Sequence, residues 1–119
     1  NTLFLIENGI AHINAHTNLD QAPGGVNDVL AKTLGLENVR VIAPKGTDDR
    51  GRAWGLLRGG EIKAQSLADF LAVVKQKLGC ECLRYVSGGR PVRKVAVGGF
   101  PCAKRCRLFT KEFEEEMRR

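Results

Sequence analysis

The spacing of hydrophobic residues changes along the chain, and it is helical in some segments and strand-like in others. The segment 1–7, stopped by Gly9, predicts the end of a helix. The short apolar stretch 10–15 predicts a strand that delivers His16 to its C-terminal end. Residues 16–25 are rich in turn-forming types and predict a loop.

Two amphipathic helices are predicted after this loop. The first ends at Gly35, and its apolar positions recur at helical spacing: Val26, Val29, Leu30 and Leu34. The second begins at Ser66, which forms a capping-box pattern with Asp69, and it ends at Gly79. Its predicted apolar stripe is Leu67, Phe70, Leu71, Val74 and Leu78. Both helices therefore have one face suited to packing on a sheet.

Four further strands are predicted from apolar runs bounded by turns. They cover 39–43, 52–57, 83–86 and 92–97. In the first, Val39, Val41 and Ala43 share one face, and the second is expected to end at Gly59-Gly60. The order strand–helix–strand–strand–helix–strand–strand predicts an α/β fold, with a mixed sheet covered by helices.

Size and composition fit one globular domain. The chain has 119 residues, of which 43% are apolar and 27% are charged. No apolar run approaches the ~20 residues that span a bilayer, and no signal peptide precedes the first element. We therefore expect a soluble, cytoplasmic protein without a membrane partner. Because the first residue is Asn1 and not Met, we also expect the chain to begin inside a larger protein.

The net charge of +6 raises the question of a polyanionic partner. The basic residues are scattered and aromatic residues make up only 6%, so the chain offers no platform on which bases would stack. Nucleic-acid binding is therefore disfavoured. Attraction of a nucleotide or another phosphorylated small molecule explains the charge equally well.

The four cysteines form the pairs Cys80/Cys82 and Cys102/Cys106. Four thiolates can ligate zinc, but neither spacing is the usual two-residue gap of a zinc knuckle. The alternative is a set of free thiols in a reducing compartment.

His16 and Asp20 are the strongest candidates for chemistry. In a helix or tight turn, positions i and i+4 share a face, so the imidazole and the carboxylate can bind one cation or hydrogen-bond to each other. These donors suit Zn, Mn, Fe or Mg. The spacing alone equally allows Asp20 to be a turn or cap residue and His16 to be a structural donor.

The neighbouring polar residues and glycines also have two interpretations. Asn18 can orient either candidate, and Asn27-Asp28 are most simply residues at a helix start. Gly24-Gly25 can admit a phosphate to backbone N–H groups, or simply supply a turn with positive φ.

The segment 15–36 resembles one family closely. It contains Ala-His-Thr-Asn-Leu-Asp at 15–20, Gly-Gly-Val-Asn-Asp at 24–28 and Leu-Gly-Leu at 34–36. This string resembles the central motif of the Nif-three-like dinuclear metal-centre proteins, also known as GTP cyclohydrolase 1 type 2 homologues. The likeness continues weakly at Gly51-Arg52 and Gly55-Leu56, and resumes over 66–78, 83–86 and 92–99.

The resemblance implies roles for two residues. The Asp of the family motif is a metal ligand, which here is Asp20. The His of the motif, here His16, lines or orients the same site and can assist as a hydrogen-bonding or acid/base group. The complete family site holds two divalent ions that activate water for hydrolysis, and the family forms hexameric rings.

The resemblance also has clear gaps. The other family ligands are an upstream His-His pair and a late His plus Glu, and this sequence has neither; its remaining histidine is His12. We therefore expect a partial Nif-three-like α/β domain over 1–99, with an incomplete metal site, and a divergent charged tail over 100–119. The chain would be a fragment of a larger two-lobed α/β hydrolase-like protein. The alternative is a non-catalytic interaction or scaffold module.

Overall fold

The computed structural model describes residues 2–99, and the tail expected at 100–119 lies outside the described residues. The helices are α1 (Thr2–Glu7), α2 (Thr17–Gln21), α3 (Val26–Thr33) and α4 (Leu67–Leu78). The strands are β1 (Glu37–Ile42), β2 (Gly46–Thr47), β3 (Ala53–Trp54), β4 (Leu57–Gln65) and β5 (Val92–Val97). None of the helices in 2–99 combines the length and apolar character needed to cross a bilayer.

The main sheet has three antiparallel strands in the order β1–β4–β5. Ile42 pairs with Leu57 where β1 meets β4, and Gly60 pairs with Val95 where β4 meets β5. The strands β2 and β3 form a separate antiparallel hairpin. The central strand β4 therefore connects the two outer strands of the main sheet, and its first residues adjoin the hairpin.

The core lies between α3 and the sheet. Its buried side chains are Ala31, Leu34, Leu36, Val95 and Val97. Partly buried side chains pack around them: Leu30, Ile62, Phe70, Val74 and Val92. Of these, Phe70 and Val74 belong to α4. Burying an aliphatic side chain of this kind contributes about 1.5–3 kcal/mol, so this small cluster is the main apolar source of stability in the described part of the chain.

The α/β class is confirmed, and several elements fall where the sequence predicts them. Helix α4 begins after Ser66, whose hydroxyl accepts a hydrogen bond from the Asp69 backbone N–H at 3.1 Å. It ends at Gly79, which has φ +64° and so adopts the left-handed conformation that glycine allows at a helix end. Strand β5 covers the predicted range 92–97.

Two predicted strands are absent from the described structure. Residues 10–15 and 83–86 have strand-like composition, but the structure assigns neither to a strand, and Ile13 and Val86 are 90% and 95% exposed. A strand is stabilised by its pairing partner and by a covered face, and composition alone supplies neither. The prediction of a strand leading to His16 is therefore wrong.

The predicted strand end at Gly59-Gly60 is also wrong, because both glycines lie inside β4. A Cβ on Gly59 would meet Ile42 Cδ1 at 2.6 Å, and one on Gly60 would meet Leu36 Cβ at 2.9 Å. These glycines allow neighbouring groups to approach the strand closely, and they do not break it.

Two faces differ from those predicted. In α3, Val26 and Val29 are 42% and 60% exposed, whereas Asn27 and Ala31 are fully buried. In β1 and the residue after it, Val39 and Ala43 are exposed, whereas Ile42, which is not on the predicted face, is buried. The pairing of β1 is also irregular between Glu37 and Arg40. The buried face of α3 therefore carries a polar residue, and this residue determines how the candidate site is built.

Candidate functional site

The candidate residues lie at the two ends of α2, a helix of five residues. His16 is the N-cap, and its backbone N–H donates to Asn18 Oδ1 at 2.7 Å. Asp20 lies inside the helix, one turn later. His16 is exposed and Asp20 is half-buried. The structure thus brings the two predicted residues to one turn of helix.

Asp20 is held through its backbone. Its carbonyl oxygen accepts a hydrogen bond from Asn27 Nδ2 at 2.9 Å. Among the hydrogen bonds and ion pairs within residues 2–99, none uses the Asp20 carboxylate. The carboxylate oxygens therefore remain available as acceptors or metal ligands, while the backbone that carries them is fixed.

The glycine pair after α2 forms a tight turn into α3. Gly24 has φ +79°, where a side chain would be strained. Gly25 has an ordinary φ, but a Cβ there would overlap the Leu19 carbonyl oxygen and lie 2.9 Å from the Ala22 oxygen. The first glycine is required by backbone conformation and the second by lack of space, so the turn packs closely against α2.

Asn27 connects three parts of the structure through one side chain. Besides the bond to Asp20, its Nδ2 donates to the Leu56 carbonyl oxygen at 2.8 Å. Its Oδ1 accepts from the Gly99 backbone N–H at 2.7 Å. The side chain is fully buried and has both donor hydrogens and its oxygen bonded. Asn27 therefore joins α2, the start of β4 and the residues after β5.

Arg58 forms a second buried connection. Its side chain is 2% exposed, and the guanidinium contacts both carboxylate oxygens of Asp28, through Nε at 2.5 Å and Nη2 at 3.2 Å. The remaining guanidinium bonds reach the carbonyl oxygens of residues 21, 22, 55 and 57. A guanidinium is suited to this because it presents five donors in a fixed plane.

These contacts change the pKa of the Asp28 carboxyl. Burial alone would raise the pKa of its carboxyl. Hydrogen bonds from Arg58 and from the Gly24 backbone N–H, together with the Arg58 charge, outweigh that effect and lower the pKa below its ordinary value of 3.8. Asp28 is therefore ionised at neutral pH as the partner of Arg58.

The described residues do not form a complete metal site. Within 2–99, no group of three or more His, Cys, Asp and Glu side chains converges on one point. Cys80 and Cys82 are free thiols, and the other two predicted zinc ligands, Cys102 and Cys106, lie outside the described residues. Of the predicted site residues, Asp20 lies in α2 and His16 at the N-cap of that helix.

Sequence reasoning missed the importance of Asn27 and did not identify Arg58 at all. A usable signal was present for Asn27, because Leu30, Ala31 and Leu34 follow it at i+3, i+4 and i+7, which places a polar side chain on the apolar face. A buried amide needs hydrogen-bond partners, so this position predicts a polar contact across the core. No comparable local signal marks Arg58.

A pocket of about 320 Å³ lies beside α2. It is lined by Trp54 of the β2–β3 hairpin and by residues of the α2 region: Asn18, Gln21, Ala22 and Pro23. The only tryptophan of the chain therefore lies beside the α2 region, although neither His16 nor Asp20 lines this pocket.

Comparison with known proteins supplies the family context. Residues 2–99 match the family described as Duf34/NIF3 (NGG1p interacting factor 3). A protein from Streptomyces coelicolor is 38% identical over 99 residues, covering 80% of this chain and 34% of that protein. One from Clostridium perfringens is 34% identical over 95 residues, covering 78% and 35%. Both are named "GTP cyclohydrolase 1 type 2 homolog".

A solved structure shares the fold. The Staphylococcus aureus hypothetical protein SA1388 superposes with a TM-score of 0.71 at 25% sequence identity, over 91% of this chain and 47% of that one. The chain thus spans about half the length of this structural relative and about a third of the curated relatives above.

Proposed function

The chain belongs to the DUF34/NIF3 family, and on that premise we propose that it contributes part of the metal site of a hydrolase, with Asp20 as ligand to a divalent cation. The relatives' name suggests a GTP cyclohydrolase type of reaction. We propose a nucleotide or another phosphorylated small molecule as the substrate class. The complete protein would supply the remaining ligands of a two-ion site and would assemble as a homo-oligomer.

One observation carries this proposal. The carboxylate of Asp20 is half-buried and takes no part in the hydrogen bonds within residues 2–99, although the backbone around it is held by buried side chains. A carboxylate that serves only a turn is expected to bond to nearby backbone N–H groups. In the same region, Asp28 does this by accepting from the Gly24 N–H at 2.5 Å.

The donor set fits the cations that the family suggests. A carboxylate oxygen with an imidazole nearby suits Zn, Mn, Fe or Mg. Such a cation, when bound, would supply Lewis acidity and lower the pKa of coordinated water. Asp20 would hold the cation through an oxygen atom. His16, exposed at the start of α2, would donate a hydrogen bond to the substrate or transfer a proton at a ring nitrogen.

Manganese titration of the ¹⁵N-labelled chain tests this assignment. Paramagnetic Mn²⁺ broadens the amide signals near the site it occupies, even when binding is weak. We expect broadening centred on residues 16–21, and its loss in Asp20→Asn. The matched control is Asp49→Asn, which removes an exposed carboxylate from the loop between β2 and β3. Broadening that persists in Asp20→Asn, or disappears equally in the control, would contradict the proposal.

A second candidate, the scaffold module, is favoured by the N-terminal region. Large apolar side chains are strongly exposed there, with Leu3 at 73%, Ile6 at 70% and Ile13 at 90%. Exposed apolar surface of this kind is typical of interaction sites. Turnover of GTP with added Mn²⁺ or Zn²⁺ separates the two functions in a full-length relative, because activity lost on changing the Asp equivalent to Asp20 excludes a purely scaffolding role.

A further inference from the structure

Two runs of consecutive backbone carbonyl groups face the same pair of buried side chains. One run belongs to residues 20–22, at the end of α2, and the other to residues 55–57, where the chain enters β4. Every one of these six oxygens accepts a hydrogen bond from Asn27 or Arg58. We call this arrangement the carbonyl clamp.

Asn27 and Arg58 each serve both runs. Asn27 donates to the carbonyl oxygens of Asp20 and Leu56 at 2.9 and 2.8 Å. Arg58 donates through Nη2 to residues 21 and 22 at 3.3 and 3.1 Å, and through Nη1 to residues 55 and 57 at 2.8 and 3.2 Å. The clamp therefore joins the helix that carries Asp20 to the central strand of the sheet.

Helix α2 cannot hold its own position. Isolated helices shorter than about 12–15 residues are marginal in water, and α2 has five. The last carbonyl groups of any helix also lack partners inside the helix. In α2 these groups are bonded to the side chains of two residues that are at most 1% exposed. Backbone N–H groups of Gly25 and Gly55 also donate to the carbonyl oxygens of residues 22 and 21, at 3.0 and 3.3 Å. The clamp therefore fixes the end of the helix together with these two backbone hydrogen bonds.

We infer that Asn27 and Arg58 are positioning residues for Asp20, and that the placement of the Asp20 carboxylate depends on the carbonyl clamp. The link to metal binding rests on the proposed function, because it takes Asp20 as a ligand. The clamp itself does not depend on that assignment. Arg58 in turn is oriented by Asp28, whose carboxylate contacts Nε and Nη2.

The test compares Asn27→Ala with a core variant of equal stability. The control is Val95→Ala, because Val95 lies in the apolar cluster and outside the clamp. The buffer is chosen so that the thermal midpoint of Val95→Ala matches that of Asn27→Ala. Amide hydrogen exchange is measured without metal. We expect exchange at residues 19–22 to be about tenfold faster or more in Asn27→Ala than in the control, since a buried hydrogen bond contributes about one power of ten.

Manganese titration of the same samples adds a readout that stability alone would not change. We expect Mn²⁺ affinity at Asp20 to fall about tenfold in Asn27→Ala, for the same reason, and to stay at the wild-type value in Val95→Ala. Arg58→Lys is a second, conservative variant, which tests the inference even if Asn27→Ala does not fold. It keeps a cation beside Asp28 but has three donors in place of five, so we expect faster exchange at residues 21–22.

The outcomes are distinguishable. Selective loosening of residues 19–22 with weakened Mn²⁺ binding supports the inference. Selective loosening in a protein whose wild type shows no Mn²⁺ effect near Asp20 supports the clamp and refutes the proposed function alone. For Asn27→Ala, the inference is overturned if exchange at 19–22 rises no more than in Val95→Ala. It is also overturned if exchange rises selectively but the Mn²⁺ affinity stays unchanged. For Arg58→Lys, exchange at 21–22 that equals the wild-type rate overturns it.

Discussion

Replacing Arg58 by methionine tests whether the buried polar network stabilises the fold. The substitution keeps an unbranched apolar side chain but removes the guanidinium of a residue that is 1% exposed. Two hydrogen bonds to the Asp28 carboxylate are lost. Four backbone carbonyl oxygens, those of residues 21, 22, 55 and 57, lose a donor as well.

The expected loss of stability follows from burial. Removing one partner of a buried ion pair costs about 3–5 kcal/mol. The Asp28 carboxylate that remains is 30% exposed, so water replaces part of the lost contact and the lower end of this range is expected. Small domains have unfolding free energies of about 5–15 kcal/mol in total. We therefore expect Arg58→Met to lower the unfolding free energy by about 3 kcal/mol, a large fraction of the whole.

A second Arg–Asp pair provides a matched control. Arg52 contacts Asp48 at 2.8 Å, but its side chain is 53% exposed. Exposed pairs of this kind contribute about 0.2–1 kcal/mol, so Arg52→Met should have little effect. The two variants remove the same chemical group from the same kind of partner. The difference between them measures the burial of Arg58 together with its four bonds to backbone carbonyl oxygens.

Urea unfolding followed by circular dichroism and by the fluorescence of Trp54 gives both values, because the chain has one tryptophan. The reasoning is refuted if the unfolding free energies of Arg58→Met and Arg52→Met agree within about 0.5 kcal/mol, the usual size of surface effects.

Three further predictions concern the same region and the α4 cap. The pKa of Asp28 is lowered below 3.8 in the folded state, so its contribution to stability is present above pH ~4 and is lost as pH falls through the folded pKa. The unfolding free energies of wild type and Asp28→Asn, measured from pH 6 downwards, should therefore converge. A difference that stays constant with pH would contradict this prediction. Gly25→Ala should destabilise by about 1–3 kcal/mol, as overpacking does, since the new Cβ overlaps the Leu19 oxygen, whereas Gly88→Ala, with nothing within 4 Å, should not; equal thermal midpoints would disprove this. Ser66→Ala should cost about 1 kcal/mol by removing the α4 cap, and unchanged urea unfolding would show that the cap is dispensable.

Elements specified by local chemistry could be predicted from the sequence. Helix α4 has a capping serine, an apolar stripe and a terminal glycine, and all of these signals lie within fourteen residues, Ser66 to Gly79. The turn at Gly24-Gly25 was recognisable for the same reason. Strand β5 was recognisable because it is a continuous apolar run next to a turn.

Elements that depend on distant partners could not be predicted. The segment 10–15 has strand-like residues, but strand formation depends on a neighbour elsewhere in the fold. Arg58 is separated from Asp28 by 30 positions, and nothing near it in sequence indicates burial. The same applies to the antiparallel pairing of β4, since an extended run does not specify which strands lie beside it. His16 and Asp20 could be found because a family motif marks them; their roles stay predictions.

The claim that Asp20 binds a divalent cation is tested most directly by X-ray diffraction from crystals of the chain soaked in Mn²⁺ or Zn²⁺, with data collected at the absorption edge of the metal. The account predicts an anomalous peak about 2.0–2.2 Å from an oxygen of the Asp20 carboxylate, and its absence from crystals of Asp20→Asn. A metal bound elsewhere in the chain, with the Asp20 carboxylate not coordinated, would contradict the account.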